Sequence, residues 1–224
     1  IGPTMTFNLP SLIGLSCVVV VAAWLSHPLI IACFLLFVVL PGWLFSKLLR
    51  GIPFSLEERL MLSIGFGLAW IPIISVLFKW LAIPLTPVTL IALLAVLAVF
   101  AWLVRPLKAQ GSPSLSLSYR PNVSQLFLLA LLLCSIVTRL APFRHLEVPF
   151  FADPALQGMI TRLILDHKGI PDTWEPFVPI DLHYPQGFAS IVAWCALVSN
   201  LPIPHIILGL TNLLHALFPF SVYV

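Results

Sequence analysis

Six of the chain's eight acidic residues fall between Glu147 and Asp181. In an apolar chain, a carboxylate can accept a proton, orient a cation or hold a hydroxyl. The window from Pro149 to Gly187 contains Asp153, Asp166, Asp172, Glu175 and Asp181. His167, His183, Trp174, Phe177 and Tyr184 lie among them. Several of these side chains have plain structural explanations. Asp166, His167 and Lys168 read as a solvated helix end. Trp174 and Tyr184 suit the depth of lipid headgroups. Asp172, Glu175, Asp181 and His183 remain as candidate binding groups on a loop stiffened by Pro171, Pro176 and Pro179. The other two acids, Glu57 and Glu58, follow Ser55 in a Ser-x-x-Glu capping box and are left out of any site.

The elements that must position this window follow from periodicity. Asp153-Pro154 is a helix start, with Asp as N-cap and Pro at the first helical position. Leu156, Met159, Ile160, Leu163 and Ile164 then recur at helical spacing, and Gly169 supplies a stop. This amphipathic helix, residues 154–168, is too charged to cross a bilayer and is expected to lie along its surface. Tyr184-Pro185-Gln186-Gly187 leads back into apolar sequence.

Everything else reads as membrane. The 224 residues are 60% hydrophobic and 8% charged, with a mean hydropathy of +1.09. Soluble domains carry about 25% charged residues. The expected fold is all-α: a polytopic integral membrane protein with about seven transmembrane helices plus the surface-parallel helix. The spans are expected near 9–25 and 29–49, from Ser55, and near 86–104, 122–140 and 186–201, with a seventh from His205. Pro41-Gly42 should kink or end the second, and Pro72 should bend the third. Gly65, Gly67 and Ala69 thin the third helix for close packing. Residues 1–104 form a four-span module, 105–121 a polar linker rich in serine and proline, and 122–224 a second module. The net charge of +3 is spread over short clusters between apolar runs, which excludes a nucleic-acid footprint. Lys47, Arg50 and Arg59 flank one connection, and Arg105, Lys108 and Arg120 another; the opposite side has only Lys79 in a short loop. The N-terminus is therefore expected to be cytoplasmic and loop 141–185 external. The cysteines Cys17, Cys33, Cys134 and Cys195 lack metal spacing and read as small buried apolar residues.

The order of parts in the window resembles the GT-C class of membrane glycosyltransferases, which includes the oligosaccharyltransferase catalytic subunit and the protein mannosyltransferases. The resemblance rests on Phe150-Phe151-Ala152-Asp153-Pro154, the helix to Lys168, Gly169-Ile170-Pro171 and Tyr184-Pro185-Gln186-Gly187. Leu40-Pro41-Gly42-Trp43 and the Glu57-Glu58-Arg59 helix start look like the leader of prokaryotic proteins of this kind. The resemblance implies a multi-pass protein of a prokaryotic cell membrane that uses a polyprenyl-phosphate-linked sugar. It makes Asp153 the catalytic carboxylate and the ligand of a divalent cation, Mg or Mn. Asp172, Glu175, Asp181, His183, Tyr184 and Trp174 are the candidate substrate-binding residues beside it. The chain departs from the class at Asp153, whose neighbours Ala152 and Pro154 supply no second acid.

The chain begins at Ile1 and ends inside an apolar run, so these residues are expected to be the opening part of a longer protein. The competing expectation is a non-catalytic membrane subunit that packs against other subunits, with the acidic window as its docking loop. A transporter is the third, disfavoured because no inverted repeat or intramembrane charge pair is visible.

Overall fold

Proline decides how the first helix is built. The computed structural model describes residues 28–46, 49, 56–103 and 152–223, together with positions 127, 130, 131, 134, 138 and 146. Helix α1 covers Pro28–Ser46. Pro41 has no N–H, so the Phe37 carbonyl four residues earlier loses its α-helical partner. The chain answers with a π-helical turn at Leu35–Val39, where the Leu40 N–H returns to the Leu35 carbonyl. A donor from another helix completes the repair: Trp70 Nε1 reaches the Phe37 carbonyl at 2.9 Å. The helix therefore continues through Pro41-Gly42 to Ser46 instead of ending there.

Helix α2, Leu56–Trp80, runs antiparallel beside α1 and keeps Pro72 inside it. Gly42 and Gly67 let the two backbones meet. A Cβ on Gly42 would lie 2.6 Å from the Ser63 carbonyl carbon, and one on Gly67 would lie 2.7 Å from Val38 Cα. Gly65 has open space around it and plays no part in the contact. Helix α3, Pro87–Leu103, opens with a reciprocal cap. Thr86 Oγ1 accepts from the Thr89 N–H at 3.2 Å, and Thr89 Oγ1 accepts from the Thr86 N–H at 2.9 Å. Pro87 takes the first helical position, as expected.

Helix α4, Ala152–Asp166, is the amphipathic helix of the acidic window. Its buried side chains are Ile160, Thr161, Leu163 and Ile164, while Met159 is exposed. That face packs on α5, Gly187–Ser199, and on α6, Ile203–Tyr223. The apolar stripe that periodicity assigned to the membrane surface is thus largely consumed by protein packing. The stop also differs from expectation by one residue. Lys168, with φ 52°, takes the left-handed position, and the Gly169 N–H bonds the Ile164 carbonyl at 3.0 Å.

Aromatic rings join the two halves. Trp194 of α5 meets Phe37 at 5.6 Å and Trp70 at 5.9 Å, both edge-on. Its Nε1 donates to Ser75 Oγ at 3.0 Å, so neither buried indole N–H lacks a partner.

Among the described residues, two helices are long and apolar enough to cross a membrane, Pro28–Ser46 and Glu58–Trp80. Gly187–Ser199 and Ile203–Phe218 qualify only when taken together, and they are bent by 119° at their break. Pro202 and Pro204 remove backbone donors there, and Asn200 turns the chain with φ 54°. The sixth and seventh expected spans are therefore one bent pair, with the form of a broken span or a re-entrant loop. Pro87–Leu103 is apolar but only 17 residues long. It rises about 25 Å, short of a hydrocarbon core of about 30 Å. The described residues are helical apart from their connections and one isolated bridge, Thr173 with Asp181. They form an all-helical structure with two to three candidate spans where five of the seven were expected. The expected spans at 9–25 and 122–140, the linker 105–121 and Ser55 of the capping box lie outside the described residues, but for isolated helical positions at 127, 130, 131, 134 and 138.

Candidate functional site

The chain's re-entry brings two distant residues of the window together. Asp153 sits in the first turn of α4, one residue past Ala152, not at the N-cap. The positive end of the helix dipole favours its carboxylate there. Tyr184 stands at the end of the loop, two residues before Gln186 at the N-cap position of α5. Its hydroxyl donates to Asp153 Oδ1 at 3.3 Å across 31 residues of sequence. Desolvation raises the Tyr184 hydroxyl above its ordinary pKa. The Asp153 charge and hydrogen bond act in the same direction, and Gln157 opposes them. Gln157 follows Asp153 by one turn on α4. Its Oε1 is buried and has no hydrogen-bond partner among the described residues, and the same holds for Gln186 Oε1. The Gln157 side chain beside the carboxylate and the phenol makes this an oxygen-rich corner, whereas Gln186 Nε2 donates to the Pro171 carbonyl at 3.4 Å.

The loop between α4 and α5 is a narrow double-back. Trp174 N–H bonds the Ile180 carbonyl at 2.9 Å, and Leu182 N–H bonds the Asp172 carbonyl at 2.7 Å. This pairing distributes the remaining expected site residues. Asp181 joins it through its backbone, opposite Thr173. Trp174 is half-buried and packs against the core, so it is not an open platform. Glu175, Asp181 and His183 are exposed.

Asp172 turns away from Asp153 and forms an ion pair with Lys79 at the end of α2. These two residues line a cleft of about 490 Å³, together with Phe78, His167, Lys168 and Glu175. Asp153 and Tyr184 are not among its lining residues. The window therefore resolves into two separate places: the Asp153–Tyr184 corner and the Lys79–Asp172 cleft. Sequence reasoning missed Lys79, which served only as a topology marker. A basic residue in the last turn of an apolar span was the available signal, since the helix C-terminus favours it. Asp166 behaves as its bland reading expects, pairing with Arg162 at 3.0 Å on an exposed helix face.

The donors around Asp153 are hard oxygens, which suit Mg or Mn better than softer metals. Among the described residues, no three of His, Cys, Asp and Glu converge as a metal-binding group. A cation at Asp153 would have one carboxylate, with the orphan Gln157 oxygen as a neighbour. That donor set fits an ion held mainly by substrate phosphate and water.

The chain matches no protein-family model, no curated protein and no solved structure.

Proposed function

We propose that this chain belongs to a membrane glycosyltransferase of the GT-C type, which transfers a sugar from a polyprenyl-phosphate donor at the outer membrane face. The observation that supports this most directly is the Tyr184–Asp153 hydrogen bond at 3.3 Å. The resemblance links an acidic residue at the start of a surface helix to a Tyr-Pro-x-Gly re-entry. The fold sets those two elements side by side. In this reading Asp153 accepts the proton of the acceptor hydroxyl, and Tyr184, itself contacted by Gln157, holds the carboxylate in place. A divalent cation, Mg or Mn, would be held at Asp153 and would neutralise the leaving phosphate.

The membrane orientation belongs to the same proposal. Helix α2 rises about 37 Å over its length. Arg59 lies near its start, with Lys47 and Arg50 preceding it in sequence, and Lys79 lies near its end. The Lys79–Asp172 pair fixes the acidic loop at that far end, away from the basic cluster. Basic residues mark the cytoplasmic side, so the loop faces outward and the N-terminus inward. On this view the spans expected at 9–25 and 122–140 add to the two to three candidate spans described, and the chain is multi-pass.

A second reading, a non-catalytic membrane subunit, draws on α3. That helix buries only Leu90 and Leu97 and exposes Val88, Ile91, Val99 and Trp102, a surface that other membrane helices could cover. The deciding experiment is sugar transfer by the purified full-length protein from a polyprenyl-phosphate sugar, with Asp153→Asn alongside. Loss of transfer with intact membrane insertion supports the enzyme. Unchanged transfer removes Asp153 from the mechanism. No transfer by the parent protein, with a stoichiometric complex on purification, favours the subunit.

A further inference from the structure

The cleft at the end of α2 carries charges of both signs that the Asp153–Tyr184 corner does not use. Its two walls are helix C-termini closed in the same way. On one wall Ala82 has φ 52° and the Ile83 N–H bonds the Phe78 carbonyl at 2.8 Å. On the other, Lys168 has φ 52° and the Gly169 N–H bonds the Ile164 carbonyl at 3.0 Å. Two ties hold the walls at a fixed separation. The Leu85 N–H donates to the Lys168 carbonyl at 2.6 Å, and Lys79 pairs with Asp172.

Once these ties are made, two opposite charges remain on the lining. The Lys168 ammonium and the Glu175 carboxylate are exposed and form no ion pair among the described residues. His167 joins them, its ring fixed by Nδ1 on the Leu163 carbonyl at 2.9 Å. The floor includes the apolar Phe78 and Ile83.

The position of the cleft narrows its ligand. It opens at the last turn of a candidate span, next to Trp80, which is 79% exposed. An exposed tryptophan at a span end settles at the membrane–water boundary. One turn further into the span, Val76 and Leu77 are exposed and offer an apolar track. A volume of about 490 Å³ is in the range of small-ligand pockets. Separate charges of opposite sign complement a zwitterion with phosphate and ammonium a few atoms apart. A primary ammonium brings three N–H donors to carboxylates, whereas a trimethylammonium brings none.

We propose that this cleft binds the phosphoethanolamine headgroup of a membrane phospholipid. Lys168 takes the phosphate, and Glu175, with the outer oxygen of Asp172, takes the ammonium. The acyl chains follow the exposed flank of α2. The site is separate from the Asp153–Tyr184 corner and does not depend on what that corner does.

The test is lipid retention by the delipidated, purified protein, read by native mass spectrometry. The probes are dioleoylphosphatidylethanolamine, dioleoylphosphatidylcholine and dioleoylphosphatidylglycerol. The expected result is tighter retention of the ethanolamine lipid, by about fivefold or more over the other two. Lys168→Gln and Glu175→Gln should each reduce that retention about tenfold, as the loss of one charge-assisted bond would. Both side chains are exposed, so neither change threatens folding. Arg162→Gln, on the same helix and paired to Asp166, should leave lipid retention unchanged. Equal retention of all three lipids overturns the proposal, as does an ethanolamine preference that survives both Gln variants. Soluble glycerophosphoethanolamine separates the two sources of the headgroup. Its binding without retention of the lipid would assign the cleft to a soluble ligand and refute the lipid site.

Discussion

Adding one methyl group at Gly42 or Gly67 should separate α1 from α2, while the same change at Gly65 should not. A Cβ at Gly42 would stand 2.6 Å from the Ser63 carbonyl carbon and 2.9 Å from the Gly67 nitrogen. A Cβ at Gly67 would stand 2.7 Å from Val38 Cα. Ordinary carbon contacts lie at about 3.5–4.0 Å. The nearest obstacles are the Ser63 and Val38 carbonyl oxygens, backbone atoms that no rotamer change relieves, so the helices must move apart by at least about 1 Å. A gap of that size forfeits roughly a quarter to a half of each dispersion contact along the seam. Overpacking of this kind costs about 1–3 kcal/mol. The separation also stretches the Trp70 Nε1 bond to the Phe37 carbonyl, 2.9 Å long here, worth about another 1 kcal/mol. Gly42→Ala and Gly67→Ala should therefore each destabilise by about 2–4 kcal/mol. Both act on the same seam, so the double variant should lose less than the sum. Gly65 has no atom within 4 Å of its virtual Cβ, and Gly65→Ala should stabilise by up to about 1 kcal/mol through helix propensity. Unfolding in mixed micelles by a graded denaturing detergent, followed by tryptophan fluorescence, measures all three variants. Trp70 and Trp194 sit in the affected packing and should report it. If Gly42→Ala and Gly67→Ala match Gly65→Ala to within about 0.5 kcal/mol, the close approach of these helices is wrong.

Further outcomes follow from single contacts. Trp70→Phe keeps a ring but leaves the Phe37 carbonyl without its donor, and should cost about 1–3 kcal/mol in the same unfolding experiment. Tyr184 has a raised pKa in the fold, so its bond to Asp153 is fully present below the ordinary phenol value of about 10 and is lost as pH rises through the folded value. Absorbance titration at 295 nm should show Asp153→Asn shifting this transition to lower pH; an unchanged titration would show that the two side chains are apart. Lys79→Gln removes an ion pair whose acid is 80% exposed, so the stability change should be under about 1 kcal/mol and should shrink in high salt. A larger, salt-independent loss would mean that Lys79 supports the cleft through packing.

Much of the architecture was legible because apolar run length and capping are local properties. Thr86-Pro87 starts α3 through its own side chain and its missing N–H. The helix over the first part of the acidic window follows from its 3.6-residue repeat. Other features were hidden because they depend on partners far along the chain. The persistence of α1 through Pro41 requires Trp70, 33 residues beyond Phe37. The fate of the α4 stripe depends on α5 and α6 folding beneath it. Hydropathy cannot separate two spans from one bent pair, since it registers composition and not direction. Along the chain Asp172 reads as a helper in the same site as Asp153, yet Lys79 draws it to a different place.

The sequence by itself determined that this chain is helical and apolar, and that its acids concentrate in one window opened by Asp153 and closed by Tyr184-Pro185-Gln186-Gly187. Those are consequences of residue type and short-range spacing. Only the tertiary structure decided which carboxylates belong together. The re-entry places Tyr184 on Asp153, while the end of α2 captures Asp172 through Lys79 and opens a charged cleft. The physical reason is that an ion pair or hydrogen bond depends on separation in space. Here that separation is set by helix packing across 31 residues in one case and 93 in the other.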